Sequence, residues 1–389
     1  MAEQQSSVAD VQQLDFILTE YRRHLHQYPE LSNEEFETTA FIKSKLEEAG
    51  IRIVDYGLAT GVIAEVGALP GNGPIVAIRA DIDALPITEE TGLPYASRIP
   101  GKMHACGHDF HTSAIIGTAL LLKSKEQELN GTVRFIFQPA EEKAVGAQRV
   151  IDSGALTGVQ AIFGMHNKPD LPVGTVGVKE GPLMAAADGF IIEVNGKGSH
   201  AAVPQAGLDP IVASAHIVTA LQSIVSRNVS PLESAVVSVT KIIGGTTWNV
   251  IPEKAVMEGT VRTFGDEVRE TVLARFEQTV VGVASALGLR ASVKWIQGPP
   301  AVINDKRLAD IAAAAAAPVG LKTIVPVPSS AGEDFAFYQK AIPGVFVFMG
   351  TSGSQEWHHP AFDLDERALP LSARYFTELA VAALDELAR

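Results

Sequence analysis

The feature that most limits how this chain can fold is an alternation of short apolar runs with helical signals, interrupted once and then resumed. Val62 to Val66 and Ile75 to Ile78 are β-rich, while Val133 to Phe137, apolar apart from Arg134, reads as a buried-type strand and Ala161 to His166 as an apolar strand ending in a histidine. Helical patterns fall between and around them: Val8 to Tyr28, closed by Pro29; Thr112 to Lys125; and a segment running to Ser153, closed by Gly154. Ser32 and Glu35 have the spacing of a capping box for a helix that Gly50 ends, and Pro70-Gly-Asn-Gly-Pro74 is turn-forming. Strands apolar on both faces must be covered on both faces. The alternation therefore predicts an α/β unit whose mixed, mainly parallel sheet lies under helices.

Near Met184 the texture changes. Asp188 to Val194 reads as a strand, Pro210 to Arg227 as a long helix, Ala235 to Ile242 and Val256 to Arg262 as strands, Glu267 to Leu287 as a helix and Ala291 to Trp295 as a strand. That order is the order of a small α+β sandwich. After Pro299-Pro300 the first pattern returns, with a helix at Lys306 to Ala316, a strand at Val345 to Met349 and an amphipathic closing helix from Ser372 to Leu387. A chain of 389 residues exceeds what one core usually organises. The expectation is one domain formed by residues 1–184 and 298–389, with residues 185–297 inserted into it.

Chemistry concentrates in Met103 to His111, where Cys106, the only cysteine, lies two residues before His108. A thiolate and an imidazole at this spacing, on a bent or extended backbone, can turn to one metal ion. More donors follow: Glu142 beside Glu141 after the Val133 strand, His166 ending the Ala161 strand, and the pair His358-His359. Each has a plain structural reading: a packed thiol, an acidic first helical turn, a satisfied core histidine, a loop pair. Together, at or beside the ends of predicted strands, they read as a site. Sulfur, carboxylate and imidazole suit Zn²⁺ or a similar divalent ion, and five donors fit two ions better than one. Glu141 is then placed to act as general base on a water for amide hydrolysis. A rival reading makes Cys106 a thiol nucleophile.

Composition narrows the partners. With 31 Lys+Arg against 45 Asp+Glu the net charge is -14, which disfavours nucleic acid and anionic membranes and leaves a small molecule as the expected ligand. One cysteine permits no internal disulfide, and the first residues lack the basic and apolar regions of a secretory signal, so a cytoplasmic protein is expected.

The ordered motifs Arg22-Arg-His-Leu-His26, Arg79-Ala-Asp-Ile-Asp83, Met103 to His111, Gln138-Pro-Ala-Glu-Glu142, Gly164-Met-His-Asn167, Gly196-Lys-Gly-Ser-His200, Asn249-Val-Ile-Pro252, Gly259-Thr-Val-Arg262 and Ser330 to Phe335 span nearly the whole chain. In these the chain resembles the M20 metallopeptidases, in the amidohydrolase branch with hippurate hydrolase, N-acyl-amino-acid deacetylases and auxin-conjugate hydrolases. The resemblance implies a zinc-exopeptidase-like catalytic domain with an inserted lid that dimerises, giving a homodimer or higher homo-oligomer. It implies two divalent ions per subunit, Zn, Mn, Co or Ni, held by Cys106, His108, Glu142, His166 and His358, with Glu141 as base and Asp83 orienting a ligand. His358 rather than His359 is implied by its place two residues before Pro360. His200 and Asn249 would act on the oxyanion or the substrate carboxylate, and Arg262 on that carboxylate. The implied reaction is hydrolysis of an N-acyl, in the first place N-acetyl, amino acid. A dipeptidase or aminopeptidase, or an inactive metal-binding regulator, are the alternatives.

Overall fold

The structure, a computed structural model, describes residues 2–68 and 73–389, and of residues 2–12 only the backbone. Most of the turn expected at Pro70 to Pro74 lies outside the described residues. The chain divides into two compact units: Met1–Gly181 with Ile303–Val327 and Asp334–Arg389, and Pro182–Val302 with Pro328–Glu333.

The first unit opens with α1 (Ala2–Gln27), α2 (Phe36–Glu48), β1 (Arg52–Ile53), β2 (Val62–Gly67) and β3 (Ile75–Asp81). It continues through α3 (His108–Ser124), β4 (Thr132–Gln138), α4 (Gly146–Asp152), β5 (Val159–Lys168) and β6 (Thr175–Gly177). The chain leaves through β7 (Gly181–Met184) for the second unit: β8 (Ala186–Asn195), β9 (Ser199–His200), α5 (Pro210–Asn228), β10 (Ala235–Gly244), β11 (Val250–Ile251), β12 (Lys254–Thr263), α6 (Asp266–Ala286) and β13 (Arg290–Ile296). It returns through β14 (Val302–Asn304) to α7 (Lys306–Ala314), β15 (Lys322–Ile324), α8 (Phe335–Ala341), β16 (Gly344–Gly350) and α9 (Ala368–Leu387).

Eight strands form the sheet of the first unit in the order β1-β2-β4-β3-β5-β16-β6-β15. The central neighbours β4, β3, β5 and β16 run parallel, whereas β1, β2 and the β16–β6 pair introduce antiparallel steps. Every residue of β3, β4 and β16 is buried, as strands covered on both faces require. Register then aligns the strand ends. Asp81 pairs with Gln138 and His166 with Phe348, so the segments leaving β3, β4, β5 and β16 emerge from one edge of the sheet. Open α/β sheets carry their ligands at that edge.

Two local expectations are corrected. The helix expected from Thr112 begins at His108, because Gly107 adopts a left-handed φ of 84° and its carbonyl already accepts from the amides of Phe110 and His111 at 3.0 and 3.1 Å. Ser32 and Glu35 do not form a capping box. The Ser32 hydroxyl donates to Asp83 at 2.6 Å, Glu35 accepts from the amides of Asn33 and Ala140, both at 2.9 Å, and α2 starts only at Phe36.

In the second unit four antiparallel strands in the order β10-β12-β8-β13 carry α5 and α6, and β8 alternates buried and half-buried residues along its length. Phe190, Ile192, Val194, Leu221, Met257 and Phe276 are in its separate core. A two-stranded ribbon pairs β9 with β11, setting His200 opposite Val250. Among the described residues no helix is long and apolar enough to cross a membrane.

Candidate functional site

Cys106 lies on the turn before α3, and His108 is the first residue of that helix. Glu141 and Glu142 occupy a single 3-10 turn after β4, flanked by Ala140 and Ala144, both left-handed at φ 54° and 52°. Non-glycine residues rarely adopt this conformation, and here it turns the two carboxylates away from the strand direction. His166 is in β5, and His358, itself left-handed at φ 66°, sits on the segment after β16.

These segments bring donor atoms together. Cys106, His108 and His166 form one group with all donor atoms within 4.8 Å of one another; Cys106, Glu142 and His358 form another, and His108, Glu141 and Glu142 a third. The Cys106 sulfur is 3.4 Å from His166 Nε2, and His358 Nε2 is 3.5 Å from Glu142 Oε1. His359 turns away: its Nδ1 accepts from the amide of Ala361 at 3.0 Å.

Several of these atoms are buried with no hydrogen-bond partner: both ring nitrogens of His108 and Oε1 of Glu142. His108 Nδ1 is 3.3 Å from Asp83 Oδ1, but not in hydrogen-bonding geometry. Buried polar atoms in native proteins are nearly always satisfied, and each orphan costs about 1–3 kcal/mol. Imidazole and carboxylate atoms without partners, converging with a thiol, fit divalent cations.

A surrounding layer fixes the donors. Asp83 accepts from Ser32 and from the amides of Glu141 and Glu142 at 3.2 and 3.1 Å, tying the carboxylate turn down. His111 Nδ1 donates to Asp81 at 2.6 Å while its Nε2 accepts from the Asn167 amide at 2.8 Å. Asn167 in turn donates to the Cys106 carbonyl at 2.6 Å. His166 Nδ1 donates to the Asn167 carbonyl at 2.8 Å, which leaves Nε2 turned to Cys106. Burial, with His111 beside it, holds His166 well below the usual histidine range and therefore neutral. Against the cost of burial, His108, Arg79 and His111 hold Asp81 well below the usual carboxylate range.

Some of this layer lies in motifs quoted above but was given no role at the site from sequence. Arg79 joins Asp81 at 2.7 Å to Asp334 at 2.8 Å, and Gln138 bonds both Arg79 and Asp334. The Asp334 amide reaches Glu141 Oε1 at 3.3 Å. Asn167 closes the Gly164-Met-His-Asn167 motif without a role assigned to it, and Trp357 was marked only as the neighbour of His358.

Of the residues expected in the insertion, His200 ends β9 and Asn249 lies on the turn just before β11, where the Ala201 amide donates to the Asn249 carbonyl at 3.0 Å. The His200 Nδ1 accepts from the Ala202 amide at 3.0 Å, so its Nε2 is the outward nitrogen. Arg262 is directed to its own unit, donating to the carbonyls of Ser330 and Val261, both at 3.1 Å, and to Thr260.

A mixed α/β sheet with such a donor cluster at its carboxyl edge defines the class as a metal-dependent hydrolase. The chain belongs to peptidase family M20/M25/M40, whose description matches residues 77–382. It is 56% identical over 371 residues to N-acetylcysteine deacetylase of Bacillus subtilis (strain 168), covering 95% of this chain and 97% of that one. It is 40% identical to IAA-amino acid hydrolase ILR1-like 4 of Arabidopsis thaliana, over 94% of this chain and 85% of that one. A crystal structure of a Bacillus subtilis protein, described as a dinuclear metal binding peptidase from the M20 family, superposes with a TM-score of 0.88 at 53% identity, covering 96% and 99% of the two chains.

Proposed function

We propose that the protein hydrolyses the amide bond of N-acyl amino acids, N-acetyl amino acids in the first place, releasing a carboxylate and a free amino acid. The observation that carries this is the convergence of orphaned buried donors beside Glu141. Two divalent ions, Zn, Mn, Co or Ni, held by Cys106, His108, Glu142, His166 and His358, would polarise the acyl carbonyl and acidify a water there. Glu141 accepts the proton of that water as its oxygen bonds to the acyl carbon, then delivers it to the nitrogen as the carbon–nitrogen bond breaks. Asp83, holding the amides of both glutamates, keeps Glu141 and Glu142 at their separate tasks. His200 and Asn249 offer an outward imidazole and a side-chain amide for the oxyanion or the substrate carboxylate. Arg262, with donors already committed to backbone and Thr260, is the weaker partner for that carboxylate.

The inserted unit, residues 185–297 in the sequence-based division, serves in this reading as lid and dimerisation element. In its support, β10 is an edge strand of its sheet with Ile242 57% and Ile243 55% exposed, a surface that pairing with a second copy would cover. A reducing, cytoplasmic setting suits a thiolate donor.

The test is a panel of N-acetyl amino acids against dipeptides, run before and after chelation and on Glu141→Ala. The expected result is turnover of the acetylated series, lost on chelation, restored by Zn²⁺, Mn²⁺ or Co²⁺, and reduced about 10²–10⁴-fold in Glu141→Ala with ions still bound. Activity that survives chelation, or near-normal kcat in Glu141→Ala, refutes the reading. Preference for dipeptides transfers it to a dipeptidase.

A further inference from the structure

We infer that Trp357 is a positioning residue that clasps the His358 segment to the end of β5, so that donors from separate stretches of chain hold one geometry. The inference rests on the dinuclear site proposed above.

His358 is the least secured donor. Its side chain is 54% exposed, its backbone is left-handed, and no helix or strand contains it. Its amide donates to the Ala105 carbonyl at 2.8 Å, one residue before Cys106, and two residues on the Pro360 carbonyl accepts from the Glu90 amide at 2.8 Å. Trp357 supplies the side-chain attachment on the preceding side. The indole N–H is shared between the carbonyl and the side-chain oxygen of Asn167, at 3.1 and 3.2 Å. Its ring packs on His166 with centroids 4.3 Å apart at 56°, and the Lys168 ammonium stands 4.9 Å from the ring centroid, itself paired with Asp170 at 2.9 Å.

A tryptophan that only filled space would not need its N–H aimed at one residue. Here the N–H meets Asn167, the residue whose carbonyl orients the His166 ring and whose amide group holds the Cys106 carbonyl. One side chain therefore touches the supports of three donors. Removing it frees His358 first, because His166 keeps its bond to the Asn167 carbonyl and Asn167 its bond to the Cys106 carbonyl, whereas no helix or strand holds His358.

The experiment uses the full chain stripped of metal, with Trp357→Phe and Trp357→Leu, titrated with Co²⁺ against a competing chelator. Thiolate-to-cobalt absorption reports Cys106, the stoichiometry counts ions, and thermal melting of the cation-free protein controls for packing. Trp357→Leu should weaken one of two Co²⁺ ions by about 10–100-fold, the range typical when the partners of ligands are removed. Trp357→Phe, which keeps a ring but lacks the N–H, should fall between it and wild type. At saturating Co²⁺ kcat should largely recover, since the residue acts through geometry. Two ions bound by Trp357→Leu with wild-type affinity and absorption would overturn the inference, as would a loss of stability with unchanged affinity. If Trp357→Leu does not fold, wild-type affinity in Trp357→Phe overturns it. A wild-type protein that binds no Co²⁺ refutes the proposed function instead.

Discussion

Away from the donors, α1 carries a titratable group whose partners make the stability of the protein depend on pH. His26 is fully buried, with Nδ1 2.8 Å from Asp109 and Nε2 3.3 Å from Glu89. Burial alone would depress it, but bonds to Asp109 and Glu89 outweigh burial and the opposing Arg22 and push it up to about 9 from 6.5. A group whose folded value is raised contributes stability that is complete below the unfolded value. Between pH 6.5 and about 9 the unfolded chain has lost the proton while the folded protein still binds it, so stability falls as pH rises. Each tenfold gain in proton affinity on folding is worth about 1.4 kcal/mol, which makes the total about 3 kcal/mol. The assay is urea unfolding of cation-free protein at pH 6, 7.5 and 9.5, wild type beside His26→Gln. The gap between them should be widest at pH 6 and should narrow by about 3 kcal/mol toward pH 9.5. A constant gap, or one that widens with pH, would refute the reasoning.

Asp83→Asn should cost about 1–3 kcal/mol, because a buried carboxylate shared by Ser32 and two backbone amides becomes a group that turns an NH₂ toward one of those donors and leaves it unsatisfied; chemical unfolding of the cation-free protein measures it. His358→Ala should weaken one bound ion by more than about 100-fold, beyond the loss typical of outer partners, while His359→Ala should leave both unchanged. Calorimetric titration with Zn²⁺ separates the two, and equal losses would mean that either histidine can serve.

What was legible in the sequence is what depends on residue type or on local period. Cys106, the histidines and the Glu141-Glu142 pair carry chemistry that few other side chains offer, and β3, β4, β5 and β16 announce themselves as largely apolar runs of strand length. The missed features depend on partners far along the chain. Ser32 looked like a helix cap because its neighbours fit that role, but a buried carboxylate at position 83 takes its hydroxyl. The early start of α3 depends on the left-handed turn at Gly107, where a Cβ would come within 2.4 Å of Asn167 Nδ2. β6 and β15, with three residues each, are too short to show a period. Asn167, Trp357, Gln138 and Asp334 are ordinary residue types whose roles appear only once the strands are in register.

The distribution of buried charge supplies an argument for cations that does not depend on counting donors. Arg79 carries Asp81, Arg22 with His26 carries Asp109, and Arg134 carries Glu65 at 2.6 Å, while burial pushes Asp334 up to about 6 even with Arg79 at 2.8 Å. Glu35, buried and with no ion pair among the described residues, meets the cost another way, since burial pushes it up toward its neutral form. Asp83 does neither. Against burial, His108 and Ser32 hold it below the usual carboxylate range, and among the described residues the ion pairs of Asp83 and Glu142 are with imidazoles alone. Asp83 thus depends on His108, whose ring nitrogens have no hydrogen-bond partner, and beside it Glu142 Oε1 is a buried oxygen without one. A divalent ion there would supply positive charge and ligand bonds at once. A fold selected only for stability would have placed an arginine there, as it did beside Asp81, and an arginine would have filled the space in which the chemistry takes place.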